Sequence, residues 1–334
     1  MTNNTRFLSI IIPCYNVADY LTGTIDSLRH LEGAEDCEFI FINDGSTDST
    51  LSIIQDFAKT DNRVLVINQK NAGVSAARNA AIQIARGKYI LPLDGDDKLA
   101  VQAISIIKNG IENADMLICP VQIVTADNTI DTTLPFPEAE YTPYTLFKAC
   151  HTFPTAPKLV YKTSILKTYD IKFNENIHSG EVLTFSLNFL KYCKTIKVSH
   201  NSFYQYVMRE TSAIHAPNFK KDLTVLDIIN AISLNTDSTI TSLPSFWTTL
   251  FKMCASFTYN KYAKLGLKDE QTIDAIKSLL QDNGFKRILK NLSCSIGHYN
   301  RDRLLAFYIR TTGIVGYKLL ATICALKNQS KKRT

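Results

Sequence analysis

The first hundred residues alternate between two periodicities. Residues 7–12 (FLSIII), 38–42 (EFIFI), 63–67 and the run from Lys88 into Asp94 (KYILPLD) are short, apolar and rich in β-branched residues. That is the pattern of strands buried on both faces of a parallel sheet. Between them, Val17, Tyr20, Leu21, Ile25 and Leu28 recur at helical spacing, as do Leu51, Ile54, Phe57 and Ala58. Residues 74–86 form an alanine-rich helical stretch, and Gly87 is the expected C-cap. Strand and helix alternate through short connections, which predicts an α/β doubly wound, mostly parallel sheet with right-handed crossovers.

Further on, residues 100–110 read as helix and 115–124 as strand broken by Pro120. Residues 125–160 carry Pro135, Pro137, Pro143, Pro154 and Pro157 with little periodicity, which predicts a loop-rich cover over the sheet's rim. Residues 181–193 look helical and 195–206 strand-like. Beyond about 217 the chain reads as a helical C-terminal region. A boundary near Ala216-Pro217 divides it into an expected domain of residues 1–215 and a helical region of 216–334.

Composition narrows the class. Hydrophobic residues make up 45% and charged residues 20% of the 334, an ordinary globular balance. The net charge of +6 is carried by residues 301–334, where eight Lys or Arg face one Asp. The rest of the chain is close to neutral, with no basic face interleaved with aromatics, so nucleic acid is not an expected partner. Eight cysteines stand singly, without C-x-x-C or zinc-like spacing, as in a reduced, cytoplasmic protein.

In a doubly wound sheet, ligands bind beyond the carboxyl ends of the strands. Those ends are here Pro13 to Asn16, Asn43 to Gly45, residues 68–73, and Asp94 to Asp97. G-x-G-x-x-G and G-x-x-x-x-G-K-[ST] loops are both missing, which disfavours dinucleotide and P-loop chemistry. The fourth end carries three carboxylates, Asp94, Asp96 and Asp97. Burying them without counter-charge would cost several kcal/mol, so solvent, a cation or a basic partner must meet them. Hard cations that bind phosphates, Mg²⁺ or Mn²⁺, take one or two carboxylates plus phosphate oxygens and water. Taken alone, Asp-x-Asp reads better as an acidic turn capping the next helix.

Four segments in fixed order change that. SIIIPCYN (9–16), INDGSTDST (42–50), NAGVSAARNAAI (71–82) and YILPLDGDD (89–97) together resemble the family 2 inverting glycosyltransferases of GT-A fold. The resemblance is strong over about the first 110 residues and looser to residue 215. It implies a nucleotide-diphosphate-sugar donor, a UDP-sugar above all, and a saccharide or lipid-linked saccharide acceptor in bacterial surface-polysaccharide assembly. Carried onto this chain, it places Pro13, Tyr15 and Asn16 along the nucleotide, Asp44 at the base or ribose, and Arg78 at the ribose-phosphate side. Asp94 falls nearer the ribose and Asp96 on the metal, Mn²⁺ or Mg²⁺. The segment 206–215 resembles one that folds over the donor in relatives, bringing Arg209 and Ser212 to the diphosphate and His215 to the metal.

The chain departs from the family at one position. An inverting transfer needs a general base for the acceptor hydroxyl, commonly the Asp of a Glu-Asp pair. In HSGEVLTF (178–185), Glu181 holds the Glu position while Val182 stands where the Asp would be. Valine cannot accept a proton. Either Glu181 is the base, the reading favoured here, or the chain is a non-catalytic nucleotide-sugar-binding member. Asp170, Glu175 and His178 are the fallback carboxylates and imidazole.

Residues 304–326 are strongly apolar but interrupted by Arg310 and Lys318, and basic residues follow. Charges within the run disfavour a membrane span. A basic amphipathic segment lying in the headgroups of an anionic membrane fits, and so does a C-terminal core helix. On the first reading, the protein is peripheral on the inner face of the cytoplasmic membrane.

Overall fold

A computed structural model of the chain describes residues 6–134, 136–149, 158–177, 180–208, 236, 238–243, 245–251, 277 and 280–293. In chain order the first unit holds β1 (Arg6–Cys14), α1 (Ala18–Arg29), β2 (Cys37–Asp44), α2 (Thr50–Thr60), β3 (Val64–Gln69), α3 (Val74–Ile84) and β4 (Gly87–Pro92). These are the strands and helices the apolar pattern predicts. Then follow β5 (Lys98–Leu99), α4 (Ala103–Ile111), β6 (Met116–Cys119), β7 (Val121–Val124), β8 (Thr129–Asp131), β9 (Ala139–Tyr141), α5 (Pro143–Ala149), β10 (Lys158–Lys162), α6 (Thr163–Thr168), α7 (Glu181–Leu190), β11 (Ile196–Val198) and β12 (Tyr204–Val207). Pro120, with no N–H to give a ladder, separates β6 from β7.

The main sheet has the order β3-β2-β1-β4-β10-β6-β11-β9. β1 to β4 pair in parallel, β10 runs antiparallel to both β4 and β6, β11 is parallel to β6, and β9 is antiparallel to β11. Six of the eight strands therefore point one way. A second sheet, β5-β12-β7-β8, lies in the same unit. Every residue of β2 is buried, as a central strand covered on both faces must be. Alternate residues take the two faces. Leu8, Ile10, Ile12, Phe39, Phe41, Tyr89 and Leu91 pack with α1, α2 and α4. On the other face, α3 lies on β1 and β2, and Phe185 and Phe189 of α7 meet Tyr161 of β10 edge-on.

Two expectations need correction. Gly87 does not cap α3: the helix ends at Ile84, Ala85 follows in extended conformation, and Gly87 opens β4 opposite Arg6. Its glycine answers a close approach, because a Cβ there would lie 2.4 Å from the Ser9 backbone nitrogen. The stretch 125–160 is also less irregular than its prolines suggest. It contains β8, β9, α5 and the start of β10. A five-residue antiparallel strand next to a gap in periodicity leaves little local signal, and it becomes visible only through its partners β4 and β6.

Glu38 is a buried charge with a structural task. Its carboxylate accepts from the Ser9 hydroxyl (2.6 Å) and the Arg86 backbone N–H (2.6 Å), and it pairs with the Arg86 guanidinium (2.8 Å). Ser9 Oγ in turn accepts from the Gly87 N–H. Burial alone would raise the Glu38 carboxyl, but these donors hold it below its ordinary value.

Contacts divide the chain into this unit (Met1–Thr145, Ala156–Glu175, Glu181–Glu210) and a second of Leu146–Thr155, Asn176–Gly180 and Thr211–Thr334. Helices Ser238–Thr241 and Asn283–Ser293 belong to the second. There Phe285, Ile288 and Leu289 are buried, and the Phe285 ring stacks near Phe251. Among the described residues, no helix is long and apolar enough to cross a membrane.

Candidate active site at the strand ends

Parallel register brings the four carboxyl ends together. Cys14 lies opposite Asn43, Asn43 opposite Asn68, and the Leu93 N–H donates to the Ile11 carbonyl just past the end of β4. Asn16 follows β1 in the left-handed region, φ +50°, which asparagine tolerates better than most residues. Its Oδ1 accepts the Thr47 N–H (2.8 Å) and its own N–H donates to Ser46 Oγ (3.1 Å). Asp48 accepts from the backbone of Ala18 and Thr50, so this loop is laced to the start of α1. Tyr15 is half exposed beside it.

Asp44 is buried at the end of β2. Its carboxylate accepts from Gln69 Nε2 (2.7 Å) and from the backbone N–H groups of Ala72 (2.9 Å) and Gly73 (2.8 Å). Three of roughly four lone-pair positions are thus occupied, and the carboxylate organises the loop leading into α3. Gly45 beside it has φ +72°, and a Cβ there would meet the Asn71 nitrogen at 2.6 Å. Only glycine fits both conditions.

At the end of β4, one guanidinium joins residues far apart in sequence. Arg78, on the inner face of α3, donates through Nη2 to Asp94 Oδ1 (2.8 Å) and through Nη1 to Glu181 Oε1 (3.1 Å). It is nearly inaccessible, and the Phe173 ring covers it at 5.2 Å. Phe173 is itself stacked on Phe185, and Asn79 fixes its backbone by bonding both its N–H and its carbonyl. Glu181 opens α7, where the helix dipole favours an anion. Among the described residues its Oε2 has no hydrogen-bond partner.

The other Asp94 oxygen faces Lys158 Nζ at 3.5 Å. Burial would raise the Asp94 carboxyl, but Lys158 and Arg78 hold it down at about 2. Asp97 behaves oppositely. It is buried, accepts from the Tyr204 hydroxyl (2.6 Å) and the Val207 N–H (3.0 Å), and is pushed up to about 6 by burial and by the nearby Asp94 charge. Asp97 therefore anchors the turn to β12. Asp96, between them, is partly exposed at the rim. The Cys14 thiol is buried beneath this turn and raised by burial and then by Asp96 and Asp94, so it packs as an apolar group.

The donor set at this end is carboxylate oxygen, the chemistry of Mg²⁺ or Mn²⁺. Among the described residues, no three His, Cys, Asp or Glu side chains converge as a complete cage. Arg209, Ser212, His215 and His178 lie outside the described residues, as does the tail from 304. Of the fallback carboxylates, Glu175 accepts from Asn79 and Asp170 pairs with Lys172 in solvent. The sequence reading missed Lys158 and Tyr204, because both reach the turn from strands whose positions depend on long-range pairing.

Residues 9–168 match the family profile described as "Glycosyl transferase family 2". The teichoic acid poly(glycerol phosphate) polymerase of Staphylococcus epidermidis is 29% identical over 67% of this chain and 32% of its own length. The poly(ribitol-phosphate) beta-glucosyltransferase of Bacillus spizizenii is 30% identical over 67% of this chain and 36% of its own. The chain thus spans about a third of each of these relatives. Among solved structures, S. aureus TarS 1–349 in complex with UDP-GlcNAc superposes with TM-score 0.70 at 22% identity, covering 97% of this chain and 92% of that one. The fold is the one they share.

Proposed function

We propose that the chain, whose residues 9–168 match the family 2 glycosyltransferase profile, is a metal-dependent inverting glycosyltransferase. It takes a nucleotide-diphosphate sugar, a UDP-sugar as in the TarS complex, and transfers the sugar to an acceptor hydroxyl of a bacterial surface glycopolymer. Residues 1–215 form the catalytic domain in this reading. The observation that carries it is Arg78. A single buried guanidinium holds Asp94, at the strand end where donors bind, and Glu181, across 103 positions of sequence.

Each residue then has a task. Pro13, Tyr15, Asn16 and Asp44 line the nucleotide, Asp94 accepts from the ribose side, and Arg209 approaches the diphosphate. Asp96, with His215, would hold Mn²⁺ or Mg²⁺. A divalent ion bound there would supply Lewis-acid stabilisation of the charge gained by the departing diphosphate. Glu181 acts as general base. With Oε1 on Arg78, its Oε2 takes the acceptor's proton as the new bond to the anomeric carbon forms and the bond to the phosphate oxygen breaks. Arg78 stands at the ribose-phosphate side of the donor in this arrangement. It orients both carboxylates and limits their mutual repulsion.

The test is transfer by the full chain with Mn²⁺ across UDP-, GDP- and dTDP-sugars, with poly(glycerol phosphate), poly(ribitol phosphate) and oligosaccharide acceptors. Turnover of a UDP-sugar that chelator abolishes is the expected result. Turnover indifferent to chelator, or confined to GDP- or dTDP-sugars, overturns the metal or the donor assignment.

A further inference from the structure

Lys158 is the first residue of β10, the strand that runs against its neighbours between β4 and β6. Its ammonium sits 3.5 Å from Asp94 Oδ2 and 3.8 Å from the centre of the Tyr204 ring. The Tyr204 hydroxyl donates to Asp97 Oδ2 at 2.6 Å and accepts from the Asp94 N–H at 3.2 Å. These contacts close a ring: Lys158 to the Asp94 carboxylate, along the Asp94 backbone to the Tyr204 hydroxyl, and through the Tyr204 π-face back to Lys158. Arg78 grips only Oδ1. Without Lys158, Arg78 would hold the Asp94 carboxylate through one oxygen.

We infer that Lys158 is a positioning residue for donor binding, which fixes the rotamer of Asp94 through its second oxygen and clamps Tyr204 over the turn. This rests on the proposed function above. The chemistry is that of a cation with two partners. A point charge on a flexible stem satisfies a carboxylate oxygen and an aromatic face together, and a neutral side chain of similar length satisfies neither. The ion pair is longer than the 2.7–2.9 Å usual for a charge-assisted hydrogen bond, so its contribution is electrostatic alignment. Lys158 is therefore assigned to ground-state placement of Asp94 rather than to proton transfer.

Lys158→Met, Lys158→Arg, Asp94→Asn and the Lys158→Met/Asp94→Asn double variant would be compared by donor KM and kcat. Thermal melts would confirm that each is folded, with Lys158→Gln replacing Lys158→Met should the latter fail to fold. The inference requires Lys158→Met to raise donor KM about tenfold with kcat changed far less, and Lys158→Arg to restore most of it. In the Asp94→Asn background, Lys158→Met should add little, since a residue acting through another is non-additive with it. A KM unchanged in Lys158→Met, a loss confined to kcat, or additive losses in the double variant would each overturn it. If the wild type turns over no donor, the functional reading fails separately. The same comparison made on UDP affinity by calorimetry then decides the Lys158 assignment.

Discussion

Arg78 answers two carboxylates with one guanidinium, and the character of the rim follows from that fork. Its two terminal nitrogens fix Asp94 and Glu181 in direction, while Asp97 is absorbed by Tyr204 and Val207. Asp96 is the member of the turn assigned to the cation. For Asp96→Ala, calorimetry with Mn²⁺ should show loss of metal-dependent UDP binding with an unchanged melting profile. Binding that persists would remove the metal assignment. At this scale the sequence showed the carboxylates and Arg78 because they sit within short segments. It could not show that Arg78 reaches Glu181, because that contact depends on where α7 lands after a hundred residues of chain.

Among the elements, β1, β2 and β4 meet at a close junction. Gly87→Ala would push a methyl group into the Ser9 backbone, and overpacking of this kind costs about 1–3 kcal/mol. A urea midpoint equal to the wild type would contradict the close approach. Glu38 secures the same junction, and its folded carboxyl lies below the ordinary value of 4.5. The stability it contributes is therefore present above the unfolded value and lost as pH falls through the lower, folded one. Glu38→Gln should cost about 2 kcal/mol at neutral pH, with the gap to wild type closing below about pH 4. A gap that stays constant down to pH 3 would mean that the carboxylate's charge is not what matters. The parallel half of the sheet was legible because buried parallel strands are continuous apolar runs. β10 was not, because five residues after a proline-rich stretch carry no period of their own, and the pairing with β4 and β6 decides their conformation.

For the molecule as a whole, charge separates the chain into a near-neutral body and a basic end. On the reading in which the apolar residues 304–326 form a basic membrane-surface segment rather than a core helix, they would bring the domain to an anionic membrane, where a lipid-linked acceptor would be presented. Co-sedimentation with phosphatidylglycerol vesicles should fall sharply when residues 304–334 are deleted and at high salt. Equal sedimentation of the full and shortened chains would remove this part of the account. Nothing in the first 110 residues announces such a role, because their patterning is fully spent on the sheet and its rim.

Catalysis by Glu181 is the central claim, since the family resemblance would put the base at the next position, where this chain carries Val182. The direct measurement is turnover of the accepted UDP-sugar by wild type and Glu181→Gln, with UDP affinity followed in parallel. A fall in kcat of about a hundredfold or more with UDP affinity retained is the expected result. Turnover that survives the substitution would contradict the account and move the base to another residue.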